Sequence, residues 1–394
     1  KDLFDVAGVP TTAGSALRAQ AVAKADSTVV SRLRAAGAVI LGKSHTHEWA
    51  LGTTSNNPHF GPARNPWDTD RIPGGSSGGN AAGLAARLFA GAVGSDTGGS
   101  VRIPAALCGV VGLKPTRGLV SLRGVVPLSW SLDHAGPMAR TAEDAALLLD
   151  AIAGFDAGDP ASRRPPEGPP VAPGLRGDPR GLAIGIPADY FWDEVVPEVA
   201  ALCRQAVAVL EDAGARIVEV PPLGWRAAAR ASGRILLADA AAYHQATLAE
   251  NAVAYGADVR ARLETGLGLA GVDVARARRE MDVWRRRLED LFGHVDLLAT
   301  PTTGNTAEPI AGIEGVAAAA SLTARTSPFN LTGLPAASVP CGFTAAGLPV
   351  GLQLVGREWQ EATVLRAAAA YQAVTEWHLR VPPVAAVTPP QGQH

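Results

Sequence analysis

The sequence predicts an α/β protein, with one β-sheet that is covered by helices on both faces. Through the second half of the chain, apolar stretches of strand length alternate with longer amphipathic stretches of helix length. Of the 394 residues, 47% are hydrophobic and 18% are charged, which is the balance of a globular protein with a large core. The alternation and the composition together indicate one sheet with helices packed around it.

The first half of the chain contains clear signals for helix boundaries. Ser27 or Thr28 caps a predicted helix, and Gly37 ends it, because glycine readily adopts the backbone conformation found just after a helix. The apolar run AVIL at 38–41 predicts a buried strand. Further helices are predicted at 80–89, 101–107 and 143–152, and a further strand at 109–113.

The second half supplies most of the predicted sheet. A stretch rich in Pro, Gly, Asp and Arg at 156–181 predicts an exposed linker. The proline-rich tail at 381–394 predicts disorder. Strands are predicted at 182–186, 215–220, 295–299, 337–339 and 350–355, and helices at 195–213, 225–250, 272–292 and 361–377.

Charge and cysteine content exclude several classes of function. The formal net charge is −2, and the longest basic run, 285–287, falls on the solvated face of a predicted helix, so no nucleic-acid partner is expected. No signal or membrane-spanning run is present, so no membrane partner is expected. The three cysteines are scattered and lack metal-ligand spacing, which favours a reducing cytoplasm. The sequence leaves the formation of a homodimer open.

Two serine clusters flanked by glycines organise the chain, one at 74–79 (GGSSGG) and one at 96–100 (DTGGS). Glycine lets a ligand approach the main chain closely, and successive backbone N–H groups in the second cluster could form an oxyanion hole. Ser76 and Ser100 are therefore the candidate catalytic serines. A serine hydroxyl is a poor nucleophile until a base takes its proton, so the sequence must also supply a base.

Two generic motifs overlap these regions. Residues 74–78 fit G-x-S-x-G, the nucleophile elbow of α/β-hydrolases, which would make Ser76 the nucleophile. The elbow needs a preceding strand, but 65–73 is polar and carries two prolines, so this serine hydrolase alternative is less favoured. Residues 37–44 (GAVILGKS) match the phosphate-loop expression, but the apolar residues between the glycines predict a strand, which excludes nucleotide binding.

A third pattern suggests a metal site. His45 and His47 have the H-x-H spacing of some metal-dependent hydrolases, and Glu48 follows them. Such a site needs further histidines at later strand ends, and the other six show no matching pattern. A hydrogen-bonding or surface role is therefore favoured, and no metal is predicted.

At this point the motifs carry a specific resemblance. The first serine cluster, followed by DTGGSVRIP at 96–104, resembles the signature of the amidase signature family. The resemblance continues through 108–116 (CGVVGLKPT), 136–141 (GPMART) and 328–335 (PFNLTGLP), and thus covers most of the chain. It implies that 1–394 is one domain with a mixed sheet, in which 156–181 is an exposed linker.

The resemblance implies a Ser-Ser-Lys triad. Ser100 would be the nucleophile, Ser76 the bridging serine with a cis peptide bond, and Lys1, in the only Lys-Asp pair of the chain, the base. The mechanism needs no metal and no organic cofactor. The backbone N–H groups expected to form the oxyanion hole are those of Thr97, Gly98, Gly99 and Ser100. The side chains expected to support the site are Ser77, Asp96 and Arg102, of which Asp96 and Arg102 are expected to form a structural pair.

Lysine usage supports Lys1 as the base. The chain has four lysines beside 31 arginines, and three of them (Lys1, Lys43 and Lys114) fall within the matching segments. An arginine cannot give up its proton, whereas a buried lysine can. Lys43 is the competing candidate, for which a structural ion pair is favoured. Because the sequence starts at Lys1 without a methionine, we expect a preceding segment that carries Lys1 into the core.

The predicted function is amide hydrolysis at a linear C–N bond, with release of a carboxylate and of ammonia or an amine through an acyl-enzyme. The predicted partner is a small-molecule amide substrate. Two alternatives stay open: the glutaminase component of a tRNA-dependent amidotransferase, which works with partner subunits, and a non-catalytic binding protein on the same fold. One wall of the substrate pocket is expected from 225–305, which supplies Tyr243, His244, Tyr255, Asp258 and Arg262.

Overall fold

The computed structural model describes residues 1–175 and 177–385. Within these residues, the centre of the molecule is an eight-stranded mixed sheet flanked by twelve helices, which confirms the predicted α/β class. The strands of the sheet are β1 (Gly91–Ser95), β2 (Val111–Lys114), β3 (Ala135–Ala139), β4 (Ala183–Pro187), β5 (Arg216–Val220), β6 (Leu297–Pro301), β7 (Ala336–Phe343) and β8 (Pro349–Gly356).

The strand order is β1-β3-β2-β7-β8-β6-β4-β5. In this order across the sheet, every neighbouring pair between β1 and β6 is antiparallel. The last three strands, β6, β4 and β5, run parallel to one another. In the middle of the sheet, Gly112 of β2 pairs with Ser338 of β7. Strands from the two halves of the chain therefore lie in one sheet and share one core.

The helices are α1 (Thr28–Ala35), α2 (Gly78–Ala85), α3 (Arg102–Cys108), α4 (Ala142–Ile152), α5 (Val171–Gly174), α6 (Pro197–Asp212), α7 (Arg226–Asn251), α8 (Ala257–Leu267), α9 (Gly271–Leu291), α10 (Gly315–Thr323), α11 (Ser327–Thr332) and α12 (Glu361–Ala373). α3, α6 and α12 pack against β7 and β8, while α8 and α9 both pack against α7. Trp225 stacks on Trp284 of α9 at 5.0 Å between ring centroids, and both are fully buried. This aromatic contact fixes α9 against the start of α7.

The first predicted helix and its ends are as expected. Ser27 caps α1 by accepting a hydrogen bond from Val30 N (3.3 Å), and Gly37 follows the helix with φ of +84°. The strand predicted at 38–41 is wrong, because these residues pair with no strand among the described residues, and Val39 and Leu41 are 81% and 73% exposed. The apolar pattern identifies a segment suited to a sheet but not the partner strand that would hold it there.

Because 38–41 is not a strand, a strand at this place cannot be the reason to exclude a phosphate loop at 37–44. The structure supplies a different reason. Lys43, the lysine of that motif, forms an ion pair with Asp2 (2.6 Å) and donates a hydrogen bond to Pro10 O (2.8 Å). Its ammonium is therefore committed to the structural ion pair that the sequence analysis favours, and is not free to bind a phosphate.

Two strands of the sheet lie outside the sequence prediction. β1 (GAVGS) and β3 (AGPMA) are made mainly of glycine, alanine and proline, which have weak strand preference. They form because they pair with each other, with Gly91 opposite Ala139 and Ser95 opposite Ala135. Tertiary pairing thus overrides local preference at the edge of the sheet that leads to the second serine cluster.

The stretch 156–181 is an exposed connection between the halves of the chain, apart from Arg176, which lies outside the described residues. Asp156 fastens its start by accepting hydrogen bonds from Thr28 Oγ1 (2.6 Å) and Ser121 Oγ (2.7 Å). Of the tail predicted to be disordered, 386–394 lies outside the described residues. None of the described helices combines the length and the apolar character that crossing a membrane requires.

Candidate active site

The two serine clusters lie side by side at one end of the edge strand. The first leads into α2, and the second joins β1 to α3. The peptide bond between Gly75 and Ser76 is cis, as the resemblance implies. Ser77 N donates a hydrogen bond to Ser100 O (3.2 Å), which holds the two loops in contact. Ser76 is fully buried, and Ser100 is 6% exposed.

Lys1 reaches the first cluster from the direction of β1. Its backbone nitrogen donates to Val93 O (3.2 Å), so that the residue lies along the strand. Its Nζ donates hydrogen bonds to Ser76 Oγ (2.7 Å) and to Ser95 Oγ (2.8 Å). Ser95 is not among the residues predicted from the sequence. It belongs to no motif, and the strand that it ends is not predicted either. The structure thus brings Lys1, Ser76 and Ser95 together next to the loop that carries Ser100.

Burial changes the proton affinity of this lysine. It lowers the pKa of the Lys1 side chain to about 7, while the negative charges of Asp96 and Asp133 act in the opposite direction. A lysine with this pKa is substantially neutral near pH 7, whereas an exposed lysine is fully protonated there. The Lys1 amine therefore has the proton affinity that suits a general base at neutral pH.

The loop after β1 presents a row of backbone donors. In the described part of the chain, the structure records no protein acceptor for the N–H groups of Thr97, Gly98, Gly99 and Ser100, all of which are buried. Thr326 Oγ1 donates to Gly98 O (2.5 Å) and fixes the middle of the loop. Gly99 has φ of +137°, and a Cβ there would lie 2.2 Å from Thr326 Oγ1, so only glycine fits. A rigid loop with free N–H groups can stabilise an oxyanion.

Asp96 and Arg102 form the pair that the sequence analysis expects to fix this loop. Arg102 Nη2 donates to Asp96 Oδ1 (2.9 Å) and Nε to Oδ2 (3.0 Å), and both side chains are fully buried. Asn330 Nδ2 donates to the same carboxylate (2.8 Å). Burial alone would raise the pKa of Asp96, but Arg102, Lys114 and Asn330 outweigh it and hold that pKa well below the usual range. The carboxylate is thus permanently charged and paired.

Removing one partner of this pair leaves an uncompensated buried charge. We therefore expect Arg102→Ala to lower the free energy of unfolding by about 3 to 5 kcal/mol and to reduce activity, because the loop loses its anchor. Arg163→Ala is the matched control, since Arg163 pairs with Glu358 at the surface, where both side chains are more than 40% exposed. Denaturant unfolding and hydrolysis rates measure both effects. Full activity in Arg102→Ala would refute the anchoring role.

The other predicted residues take different places. Ser77 Oγ donates to Ser95 O (3.3 Å) and so ties the first cluster to β1. His47 pairs with Asp258 (3.0 Å between Nε2 and Oδ2), which is the hydrogen-bonding role favoured for the H-x-H pattern. Glu48 accepts a hydrogen bond from Ser15 Oγ (2.8 Å). Across residues 1–175 and 177–385, no group of three or more His, Cys, Asp or Glu is placed to hold a metal ion.

A cleft of about 680 Å³ opens beside the second serine cluster. Gly98 of that cluster lines it, together with Leu236 of α7, Arg262 of α8 and Thr323 of α10. A larger cleft of about 850 Å³ lies elsewhere, next to Trp359, but contains none of the predicted site residues. The smaller cleft is therefore the candidate substrate site, because it alone of the two reaches the loop with free N–H groups.

Of the five side chains expected in the pocket wall, Arg262 lines this cleft. His244 and Tyr255 pack instead against Trp49, at 4.6 and 6.2 Å between ring centroids. Tyr243 lies 6.2 Å from the ring of Trp130, and Asp258 is bound to His47. Most of the predicted side chains thus serve packing, because helix periodicity alone does not show which face meets the cleft.

Known proteins resemble the chain along almost its whole length. The model of the family described as Amidase matches residues 1–365. The chain is 43% identical to the A subunit of glutamyl-tRNA(Gln) amidotransferase from Chloroflexus aggregans, over 98% of this chain and 83% of that protein. It is 44% identical to an amidase of Pseudomonas putida, over 97% of this chain and 82% of that protein.

A solved structure agrees with these matches. The structure of 6-aminohexanoate cyclic dimer hydrolase in complex with its substrate superimposes with a TM-score of 0.88 and 30% sequence identity, over 98% of this chain and 86% of that chain. The family match, the identity to curated relatives and the shared fold all lead to the same assignment. The chain belongs to the amidase family, whose members are the amidase signature enzymes.

Proposed function

We propose that the chain hydrolyses the amide bond of a small molecule through a Ser-Ser-Lys triad of Lys1, Ser76 and Ser100. One observation carries the proposal: the buried Lys1 amine, with a pKa of about 7, lies 2.7 Å from Ser76 Oγ, next to the loop that holds Ser100. Membership of the amidase family supports amide hydrolysis as the reaction.

The first step forms the tetrahedral intermediate. Neutral Lys1 Nζ accepts the hydroxyl proton of Ser76, and Ser76 Oγ accepts the proton of Ser100 as Ser100 Oγ bonds to the amide carbonyl carbon. The carbonyl π electrons move onto oxygen. Proton movement through Ser76 thus makes the Ser100 hydroxyl a competent nucleophile without any fixed negative charge in the relay.

The oxyanion is stabilised by the loop that follows β1. The N–H groups of Thr97, Gly98, Gly99 and Ser100 would donate hydrogen bonds to it, and each donor that is used contributes about 3 to 4 kcal/mol at such sites. The loop is already fixed by Thr326 and by the pair of Asp96 and Arg102, so little reorganisation is needed when the charge develops. These donors therefore favour the tetrahedral intermediate over the planar amide.

The second step releases the products. The proton held on Lys1 returns through Ser76 to the leaving nitrogen as the C–N bond breaks, which yields ammonia or an amine and leaves the acyl group on Ser100. Water then adds to the ester carbonyl and gives a proton to the same relay, and the relay returns that proton to Ser100 Oγ as the bond between Ser100 Oγ and the acyl carbon breaks. The carboxylate product leaves, and the neutral lysine is restored.

The alternative function is the glutaminase component of a tRNA-dependent amidotransferase. It is supported by the 43% identity to the amidotransferase protein of Chloroflexus aggregans. The same chemistry would then act on glutamine and release ammonia for use by partner subunits. Turnover of glutamine in preference to simple amides, together with co-purification of partner subunits, would favour this alternative over a stand-alone amidase.

The proposed site of action is the cytoplasm. Cys108, Cys203 and Cys341 are all buried free thiols. Free thiols persist in a reducing environment, which supports the cytoplasm as the site of action.

Trapping of the acyl-enzyme tests the proposed function. The protein expressed from its complete reading frame is incubated with propionamide, benzamide, para-nitroacetanilide or glutamine, with and without hydroxylamine. We expect release of ammonia or amine from at least one amide, and formation of the hydroxamate when hydroxylamine competes with water for the acyl-enzyme. Hydrolysis without any hydroxamate would contradict a covalent intermediate, and no turnover of any amide would favour the binding-protein alternative.

A further inference from the structure

Thr97, at the start of the oxyanion loop, is held by its side chain. Its Oγ1 donates a hydrogen bond of 2.5 Å to Asp133 Oδ1. Thr97 is 1% exposed and Asp133 is 6% exposed. The backbone beside them is paired as well, since Asp96 N donates to His134 O (2.8 Å) and His134 N donates to Asp96 O (3.1 Å). The loop therefore meets Asp133 along a closely fitted contact.

The second oxygen of this carboxylate fixes a turn at 128–133. Asp133 Oδ2 accepts hydrogen bonds from Leu128 N (2.8 Å) and Ser129 N (3.1 Å). The turn is fastened in its own right to α7, because Asp239 Oδ2 accepts from Ser129 Oγ (2.7 Å) and Ser131 N (3.0 Å). One carboxylate thus joins the oxyanion loop to a turn that is anchored on the helix lining the cleft.

The carboxylate of Asp133 is buried without an ion-pair partner in residues 1–175 and 177–385. Among the described residues, no basic side chain lies within 4.0 Å of its carboxylate. Burial raises the pKa of Asp133 to about 6, and hydrogen bonds from Thr97, Leu128 and Ser129 and the charge of Lys1 act against the rise. A buried carboxylate without an ion-pair partner costs stability. Its two oxygens are both used as acceptors, one by the Thr97 hydroxyl and the other by Leu128 N and Ser129 N, which an amide could not match because its NH2 group is a donor.

The negative charge of Asp133 also acts on Lys1. Asp133 is one of the two carboxylates whose charge acts on the Lys1 side chain, the other being Asp96. Asp96 is already neutralised by its bidentate contact with Arg102. When Lys1 accepts the proton of Ser76 during the reaction, a positive charge appears in a buried site. Of these two carboxylates, Asp133 is the one that forms no ion pair with a basic side chain among the described residues, and the charge of Arg117 acts on it from beyond 4.0 Å.

The geometry points to Asp133 as a positioning residue for amide hydrolysis: its carboxylate orients Thr97, and with it the donors of the oxyanion loop, while its charge stabilises the Lys1 ammonium formed during the reaction. This inference rests on the proposed function. It assigns two separable effects to one side chain, one that depends on the Thr97 hydroxyl and one that depends on the negative charge.

The first test separates orientation from folding. Thr97→Val keeps the shape of the side chain but removes its hydrogen bond, and we expect kcat to fall about tenfold to a hundredfold with little change in KM, since the loop donors act on the transition state. Thr97→Ser keeps the hydroxyl and should restore kcat to near the wild-type value. Equal kcat in Thr97→Val and wild type, or loss of activity that Thr97→Ser does not restore, would overturn the orienting role.

The second test addresses the charge. Asp133→Asn removes the charge that raises the pKa of Lys1. The amide has a single acceptor oxygen, so it can serve either the Thr97 hydroxyl or the N–H groups of Leu128 and Ser129, and the plateau rate reports this loss as well as the charge. The readout is therefore the midpoint of the pH profile of kcat/KM, which we expect to move below the wild-type value. An unchanged midpoint would overturn the electrostatic role.

The proposed function is tested separately in the same assay. Wild-type hydrolysis must disappear in Ser100→Ala. If it does not, the proposed function fails. If it does, while the Thr97 and Asp133 variants behave as wild type, only the present inference fails.

Discussion

Replacing Ser100 with alanine is expected to lower kcat for amide hydrolysis by about 10⁴-fold or more. In the proposed mechanism the Ser100 hydroxyl forms the bond to the carbonyl carbon, and alanine has no atom that can form this bond. The fold should be unaffected, because the change removes a single oxygen atom and keeps the Ser100 backbone carbonyl that accepts from Ser77 N. Initial rates with the best amide of the panel measure the effect.

The matched control is Ser31→Ala, which removes the same atom from an exposed position on α1. Its rate and melting temperature should equal those of the wild type. Retention of amide hydrolysis in Ser100→Ala would contradict the assignment of the nucleophile. If activity were instead lost only in Ser76→Ala, the nucleophile-elbow alternative would be favoured.

Replacing Lys1 has the second largest expected effect. Lys1→Ala removes the proposed general base, and because a general base typically contributes about 10²- to 10⁴-fold, we expect kcat/KM to fall by that factor. Lys1→Arg should be equally damaging, because an arginine keeps the positive charge but does not release its proton at accessible pH. Lys24→Ala, at an exposed lysine, is the control and should leave the rate unchanged.

The same lysine sets the pH dependence. Because burial lowers the pKa of Lys1 to about 7, the active neutral form is populated above pH 7 and lost below it. The profile of kcat/KM should therefore fall on the acid side with a midpoint near that pKa, rather than staying high until the carboxylates protonate. An acid-limb midpoint that is the same in the wild type and in Lys1→Ala would exclude Lys1 as the group responsible.

The sequence predicts the backbone demands of the two serine clusters better than it predicts the sheet. The glycine and serine clusters are informative because their residue types are demanded by backbone geometry and chemistry, such as the clash that any side chain at residue 99 would make with Thr326. By contrast, β1 and β3 consist mainly of small residues and proline, and they are strands because β1 pairs with β3, which also pairs with β2. The pairing of β1 with β3 joins residues 40 or more positions apart, which no local pattern reports.

Errors in the prediction have the same origin. The apolar run at 38–41 has the composition of a buried strand, yet Val39 and Leu41 face solvent because no described strand lies beside them. Ser95 and Asp133 were missed because each belongs to no motif and gains its place through contacts with Lys1 and Thr97. Side chains that act through long-range contacts become visible only when the fold is known.

Covalent labelling tests the central claim most directly. The protein expressed from its complete reading frame is treated with a fluorophosphonate, which reacts with activated serines, and the adduct is located by peptide mass mapping in the wild type and in Lys1→Ala. We expect an adduct on Ser100 in the wild type that forms far more slowly in Lys1→Ala. An adduct on Ser76 would contradict it and would make the first serine cluster a nucleophile elbow.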